Sequence, residues 1–257
     1  MIPVDLSVCS HALKTVTDTL HQQMPAASGE DVPTAIRRVK QVSQHASDTL
    51  RQHLSAHYPD IAWDSDVDDK PQHRSGRYWL YDPIDGAYHY VQGMPMWSAS
   101  LALMEDGQTL AAWVYEPAAQ EMFVAQRHAG ATLNGQPIHC SNKSRLKDAV
   151  VGTALPPFAL LNPEDSAPVL ARLGQLWSKA FVVRIMGASS LQLAYVAAGR
   201  LDAFQESGRD LEDWLAGALL VQEAGGKVSD ERGAALTFET FGIVAGPAPL
   251  QDALLKT

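Results

Sequence analysis

The sequence predicts an α/β protein built as a layered sandwich, and three features carry that expectation. Two stretches with helical hydrophobic spacing come first. Short apolar runs separated by tight turns follow, and from about residue 150 strand-like and helix-like segments alternate. An N-terminal α+β half, 1–148, is expected to carry an antiparallel sheet, and a C-terminal α/β half, 149–257, a second sheet. The functional site is expected in the cleft between them.

Residues 5–22 read as a helix, with Leu6, Leu13, Val16 and Leu20 at mostly helical spacing. The Pro/Gly/Ser-rich stretch 24–33 reads as a loop. A second helix is expected over about 36–57, where Val39, Val42, Ala46, Leu50 and Leu54 recur at steps of three and four. Tyr58-Pro59 ends it, because the residue before proline avoids the helical region. The period then shortens. Residues 78–81, 97–104, 110–115 and 121–126 read as strands, with turns at Glu105-Asp106-Gly107, Glu116-Pro117 and Asn134-Gly135. In the second half, strands are expected at 150–154, 180–185, 203–205, 227–229 and 241–245, and helices at 164–177, 190–198 and 214–223. Gly225-Gly226 caps the last of these helices.

Composition narrows the function. Of 257 residues, 46% are hydrophobic and 19% charged, enough apolar side chain for a substantial core. The net charge of −9 and the lack of a basic stripe argue against a nucleic-acid polymer as partner. Two cysteines, Cys9 and Cys140, make neither a disulfide framework nor a four-ligand zinc site. No signal-peptide core or membrane span is readable, so a cytoplasmic location is expected. His-Glu-x-x-His, Gly-x-Ser-x-Gly and Walker patterns are missing.

The densest chemistry is Asp82-Pro83-Ile84-Asp85-Gly86, directly after the strand 78–81. Two aspartates bracketing a proline-stiffened turn can converge on one point. Two ionised carboxylates that close repel each other unless a cation sits between them, and hard oxygen donors suit Mg²⁺. Two further acidic elements matter: Asp64-Ser65-Asp66-Val67-Asp68-Asp69 upstream, and Asp210-Leu211-Glu212-Asp213 at the mouth of an apolar helix. Alone, the first reads as a solvated loop and the second as a helix cap.

Together these segments resemble the inositol monophosphatase family. Its first signature, Asp-Pro-[Ile/Leu]-Asp-Gly followed by a stretch ending in Pro, is matched by Asp82 to Gly86 and on to Pro95. Its second, Trp-Asp-x-Ala-Ala-Gly with an apolar helix ending Glu-Ala-Gly-Gly, is matched by Glu212-Asp213-Trp214-Leu215-Ala216-Gly217 through Gly226. Residues 130–135 give a weaker third match. The resemblance implies an αβαβα sandwich and a phosphomonoesterase that uses two or three Mg²⁺ ions. Its substrate would be a small sugar, polyol or nucleotide phosphate. The resemblance further implies that Asp82 bridges two ions, that Asp85 and Asp213 bind the second, and that the Ile84 carbonyl and Asp66 bind the first, with Asp64 and Asp68 as possible substitutes for Asp66. Asp66, Asp82 and Asp85 would be the catalytic acids. Gly86 and Ala87 would hold the phosphate, and Asp85, Gly187, Ala188, Ser189, Glu206 and Asp213 would contact substrate. A homodimer is a further implication.

Two positions depart from the family pattern. Ala87 stands where a threonine normally helps orient the attacking water, and ungapped counting puts Ser43 where its aspartate partner belongs. Asp48, five residues on, is rotated by about 140° around a helix. His89 replaces the family's asparagine and is a further candidate base. The alternative to a working phosphatase is therefore a weakened metal- and phosphate-binding paralogue with a regulatory role.

Overall fold

Asp5 accepts the Ser7 backbone N–H at 2.8 Å and starts α1 (Leu6–Gln22), and Asp31 does the same for Thr34 at 2.8 Å and starts α2 (Val32–His57). The computed structural model describes residues 4–25, 31–64, 75–155 and 163–257. Helix α2 begins four residues before the expected start at 36. Pro33 sits in its first turn, where its missing N–H costs nothing, so it opens this helix rather than belonging to a loop.

The first sheet runs in spatial order β1 to β7: Ala62–Trp63, Arg77–Asp85, Ser98–Glu105, Gln108–Glu116, Glu121–Gln126, Gly130–Leu133 and Gln136–Pro137. From β2 onward it is the expected antiparallel meander, whereas β1 pairs with β2 in parallel. The short strands β1, β6 and β7 carry too few residues for a period to show in sequence. Tight turns set the register. Asp106 and Gly107 (φ +49° and +78°), and Asn134 and Gly135 (φ +47° and +79°), have the paired positive φ of a type I′ hairpin. A short helix, α3 (Ala87–Val91), joins β2 to β3.

The second sheet is formed by β8 (Val150–Thr153), β9 (Val182–Ile185), β10 (Ala203–Glu206), β11 (Lys227–Ser229) and β12 (Ile243–Gly246), in the order β11-β12-β10-β8-β9. The helices are α4 (Pro163–Lys179), α5 (Ser189–Ala197), α6 (Leu211–Glu223) and α7 (Ala248–Leu254). Helix α6 ends in a Schellman motif: Gly226 N–H bonds the Val221 carbonyl, Gly225 N–H bonds that of Gln222, and Gly225 is left-handed at φ +88°.

Strand alternation sorts side chains into three apolar layers. Trp79, Leu101, Leu103 and Trp113 pack with Leu13, Leu20, Leu50 and Leu54 of α1 and α2. Tyr78, Ala102, Met104 and Val114, on the opposite face, pack against α5 and α6, which also bury Phe204, Ile243 and Ala245 of the second sheet. Val151, Ala203 and Val244 turn outward to Leu176 of α4 and to Leu250 and Leu254 of α7. The layer order is αβαβα. Helices α5 and α6 touch closely because residue 217 is glycine: a Cβ there would lie 2.4 Å from the Leu193 Cβ. Both cysteines are free, and burial pushes their thiols up, to about 12 for Cys9 and about 11 for Cys140, so neither is a ready nucleophile. Among the described residues no helix is long and apolar enough to cross a membrane.

Candidate metal centre

Residues three apart on a regular strand point to opposite faces. Asp82 and Asp85 escape this because β2 is bulged between them. Asp82 pairs with Ser100 and Asp85 with Ser98, so three steps on β2 face two on β3. The Asp82 carboxylate folds back to accept the Ile84 N–H at 3.0 Å, and the Ile84 side chain is buried in the N-terminal core. Gly86 then turns the chain at φ +91°, and a Cβ on it would lie 3.0 Å from the Ala188 Cβ. Glycine is needed there for both its conformation and its size.

Asp213 enters from the first turn of α6. Asp82, Asp85 and Asp213 each offer a carboxylate oxygen within 4.8 Å of the others. Asp85 is buried and the other two are partly so. Burial, reinforced by the charge of Asp85, pushes Asp82 up to about 8. Burial raises Asp85 to about 6 against hydrogen bonds from Ser190 and Ser189 that lower it. Burial and the facing charges of Asp82 and Asp85 raise Asp213 well above the usual carboxylate range. Three acids so placed repel unless protonated or bridged by a cation.

Asp85 also caps α5 from a distance. Its Oδ1 accepts the Ser189 N–H at 3.0 Å, and its Oδ2 accepts both the Ser190 N–H, at 2.7 Å, and the Ser190 hydroxyl. The helix needs this, since the residue at its own cap, Ala188, offers no side-chain acceptor and is left-handed at φ +62°. The Ser190 hydroxyl lies 3.0 Å from that of Ser98 on β3. Glu206, at the end of β10, is buried, and its Oε2 accepts the Ser189 hydroxyl and the Trp214 indole N–H, each at 2.7 Å. Burial raises Glu206 to about 7 despite those two donors.

Of the residues expected at the site, Asp82, Asp85 and Asp213 come together. Ile84 lies within the bulge between Asp82 and Asp85, Gly86 caps α3, and Ala87 opens α3 with its side chain packed into the N-terminal core. Gly187, Ala188 and Ser189 lead into α5, and Ser189 links Asp85 to Glu206. Asp66 and Asp68 fall outside the described residues. Asp64 bonds the Trp79 carbonyl through its N–H at 2.8 Å and does not belong to the three-acid group. Asp48 is exposed on α2 and accepts from Gln44, while Ser43 is buried on that helix. Sequence reading missed Ser98, Ser190 and Trp214. Ser190 and Trp214 both sit one residue beyond expected site residues, and Trp214 also falls inside the second matched signature, though neither position announced a bond to Asp85 or Glu206.

Two sheets in an αβαβα stack, with three carboxylates converging from a β-bulge and a helix start, define an α/β protein with an acidic group that could hold a metal ion. The chain belongs to the inositol monophosphatase family, whose model matches residues 1–257. An inositol-1-monophosphatase of Mesorhizobium japonicum is 37% identical over 185 residues, covering 72% of this chain and 67% of that protein. A Nus factor SuhB of Pseudomonas aeruginosa is 42% identical over 179 residues, covering 70% and 66%. Among solved structures, the extragenic suppressor protein SuhB of Bartonella henselae matches with a TM-score of 0.85 at 28% identity, over 98% of this chain and 96% of that one. An IMPase of Thermotoga maritima matches at 0.83 and 25% identity, over 98% and 95%.

Proposed function

We propose that the chain is a Mg²⁺-dependent phosphomonoesterase of small sugar, polyol or nucleotide phosphates. The observation that carries this is the convergence of Asp82, Asp85 and Asp213 with all three carboxyls held above their usual range. A divalent cation fits the donor set, which is oxygen only and strongly anionic. Asp82, Asp85 and Asp213 would hold it, joined on this reading by the Ile84 carbonyl and by Asp66. Bound there, it would neutralise phosphoryl charge and make water a better nucleophile.

The chain's own residues supply position. The Ser189 and Ser190 donors fix the Asp85 carboxylate, so it does not reorient when ligand arrives. Glu206 has both donors on Oε2, which leaves Oε1 to accept from a substrate hydroxyl. Gly86 and Ala87 would lie against the phosphate, and Gly187, Ala188 and Ser189 against the alcohol portion. On this reading the half 1–148 carries most metal ligands and the half 149–257 the substrate contacts. A cytoplasmic location and a homodimer belong to the same reading.

The test is phosphate release from a panel of esters: inositol 1-phosphate, fructose bisphosphate, histidinol phosphate and a phosphoadenosine phosphate. Release with Mg²⁺ that stops on chelation is expected. No release from any of them would overturn the enzyme reading.

A second reading, a weakened paralogue that binds metal and phosphate, is favoured by Ala87 and Ser43 at the two departing positions. Relatives named Nus factor, a name that is not that of a hydrolase, support it as well. Stabilisation by Mg²⁺ and phosphate without turnover would decide for it.

A further inference from the structure

We propose that Arg172 of α4 is a positioning residue for Glu206, holding both of its chain neighbours: Ser207 through Glu231, and Gln205 through a single buried water molecule. The part Glu206 plays toward a substrate rests on the phosphatase reading above. Strand alternation divides the end of β10. Phe204 and Glu206 turn inward to α5 and α6, where Glu206 accepts from Ser189 and Trp214. Ala203 and Gln205 turn outward, toward α4.

The first arm is direct. The Ser207 hydroxyl donates to Glu231 Oε1, and Glu231 Oε2 lies 3.2 Å from Arg172 Nη1. The two charged side chains are 21% and 15% exposed, so solvent screens them only in part. Gly242 gives Glu231 its place: at φ +73°, a Cβ there would lie 2.3 Å from the Glu231 Cγ. The Gly242 N–H also bonds the Gly208 carbonyl at 2.8 Å, which ties down the segment leaving β10.

The second arm needs a ligand. Gln205 is 3% exposed. Its buried Oε1 and the buried Arg172 Nε–H have no hydrogen-bond partner among the described residues. One is an acceptor and the other a donor. Both residues line a cavity of about 10 Å³ between α4 and the second sheet, with Thr153, Val169, Leu173 and Ser207 around them. That is room for one water molecule and for nothing larger. The water accepts from Arg172 Nε–H and donates to Gln205 Oε1, and Thr153 and Ser207 on the same wall carry hydroxyls that can accept its second proton. Without it, both buried groups would bear the full cost of desolvation.

The experiment compares wild type with Arg172→Met, Gln205→Met and Glu231→Gln. Leu254→Ala serves as a purely structural comparison, because it weakens the same outer layer from α7. A high-resolution crystal structure of wild type should show a water within hydrogen-bond reach of Arg172 Nε and Gln205 Oε1. The nitrogen-15 signal of the Trp214 indole N–H, assigned by its loss in Trp214→Phe, reports on Glu206 directly. It should move in the first three variants and stay in place in Leu254→Ala. With saturating Mg²⁺, Arg172→Met should raise KM for inositol 1-phosphate about fivefold, the size of one loosened hydrogen bond, with kcat changed less than about twofold. An empty cavity in the crystal, a Trp214 signal unmoved in Arg172→Met or moved alike in Leu254→Ala, or a fall in kcat with KM unchanged overturns the proposal. Should Arg172→Met fail to fold, Gln205→Met and Glu231→Gln, each of which cuts one arm, decide by the same signal. If wild type releases no phosphate, the phosphatase reading fails, and the water and the Trp214 signal still judge Arg172 without turnover.

Discussion

The Asp85 carboxylate and Ser190 are joined twice through one oxygen: Oδ2 accepts both the backbone N–H and the hydroxyl of the serine. The pair ties the end of β2 to the start of α5, and Ser98 extends it to β3. Ser190→Ala removes the hydroxyl but keeps both backbone donors on Asp85. The expected loss is about 1 kcal/mol, read as a fall of about 2–4 °C in Tm by calorimetry. An unchanged Tm would show that the hydroxyl contributes nothing there.

Asp213→Asn should act with opposite signs in two conditions. Without divalent cations it removes one of three repelling carboxyls, so Tm should rise. With Mg²⁺ the wild type should gain stability by mass action and the variant should gain little. A variant with a wild-type Mg²⁺ shift would exclude Asp213 from the cation site. Asp82→Asn should lose the Mg²⁺ shift as well.

The pH dependence follows from the same acids. Asp85, Glu206 and Asp82 are raised to about 6, about 7 and about 8 in the folded chain. Each binds its proton more tightly folded than unfolded. Their contribution is therefore full below about pH 4 and is lost as pH rises through about 6 to about 8. In chelator, Tm should fall across that window. Saturating Mg²⁺ should flatten the fall, because it binds the deprotonated set. A chelated protein most stable at the alkaline end would contradict the burial of these groups.

Ala87 and Ser43 make a kinetic prediction. Helix α2 contacts α3, so a threonine at 87 and an aspartate at 43 arise on neighbouring elements. Groups that act as a unit are not additive. Ala87→Thr with Ser43→Asp should raise kcat by more than the product of the single changes, with Mg²⁺ affinity little altered. A double-mutant cycle on the best ester measures it. Simple multiplicativity would mean that the two positions do not cooperate.

The layered fold was legible because long helices and hairpin strands carry their periods openly, as at Leu13 to Leu20 and in the turn at Asn134-Gly135. The parallel strand β1 was not, being too short to show a period. Asp82, Asp85 and Asp213 were legible through motif spacing. The bulge that turns Asp82 and Asp85 to one side was not, since it depends on pairing with Ser98 and Ser100. Ser190 and Trp214 were hidden for a related reason: their partners, Asp85 and Glu206, are distant or on another element, and no local pattern announces such a bond.

The glycine at 217 has a consequence for cooperativity. By letting α6 rest on Leu193, it makes α5 and α6 a single slab that both sheets grip. Neither sheet can peel from that slab without uncovering apolar surface that the other sheet also needs. Partial opening is thereby penalised at the middle of the molecule and confined to its rims, such as the start of α2 or the edge strand β9. Asp85, Asp213 and Glu206 all sit where the slab meets a strand end. The cleft therefore belongs to the last part of the protein to open, and its geometry persists through the local fluctuations that loosen the periphery.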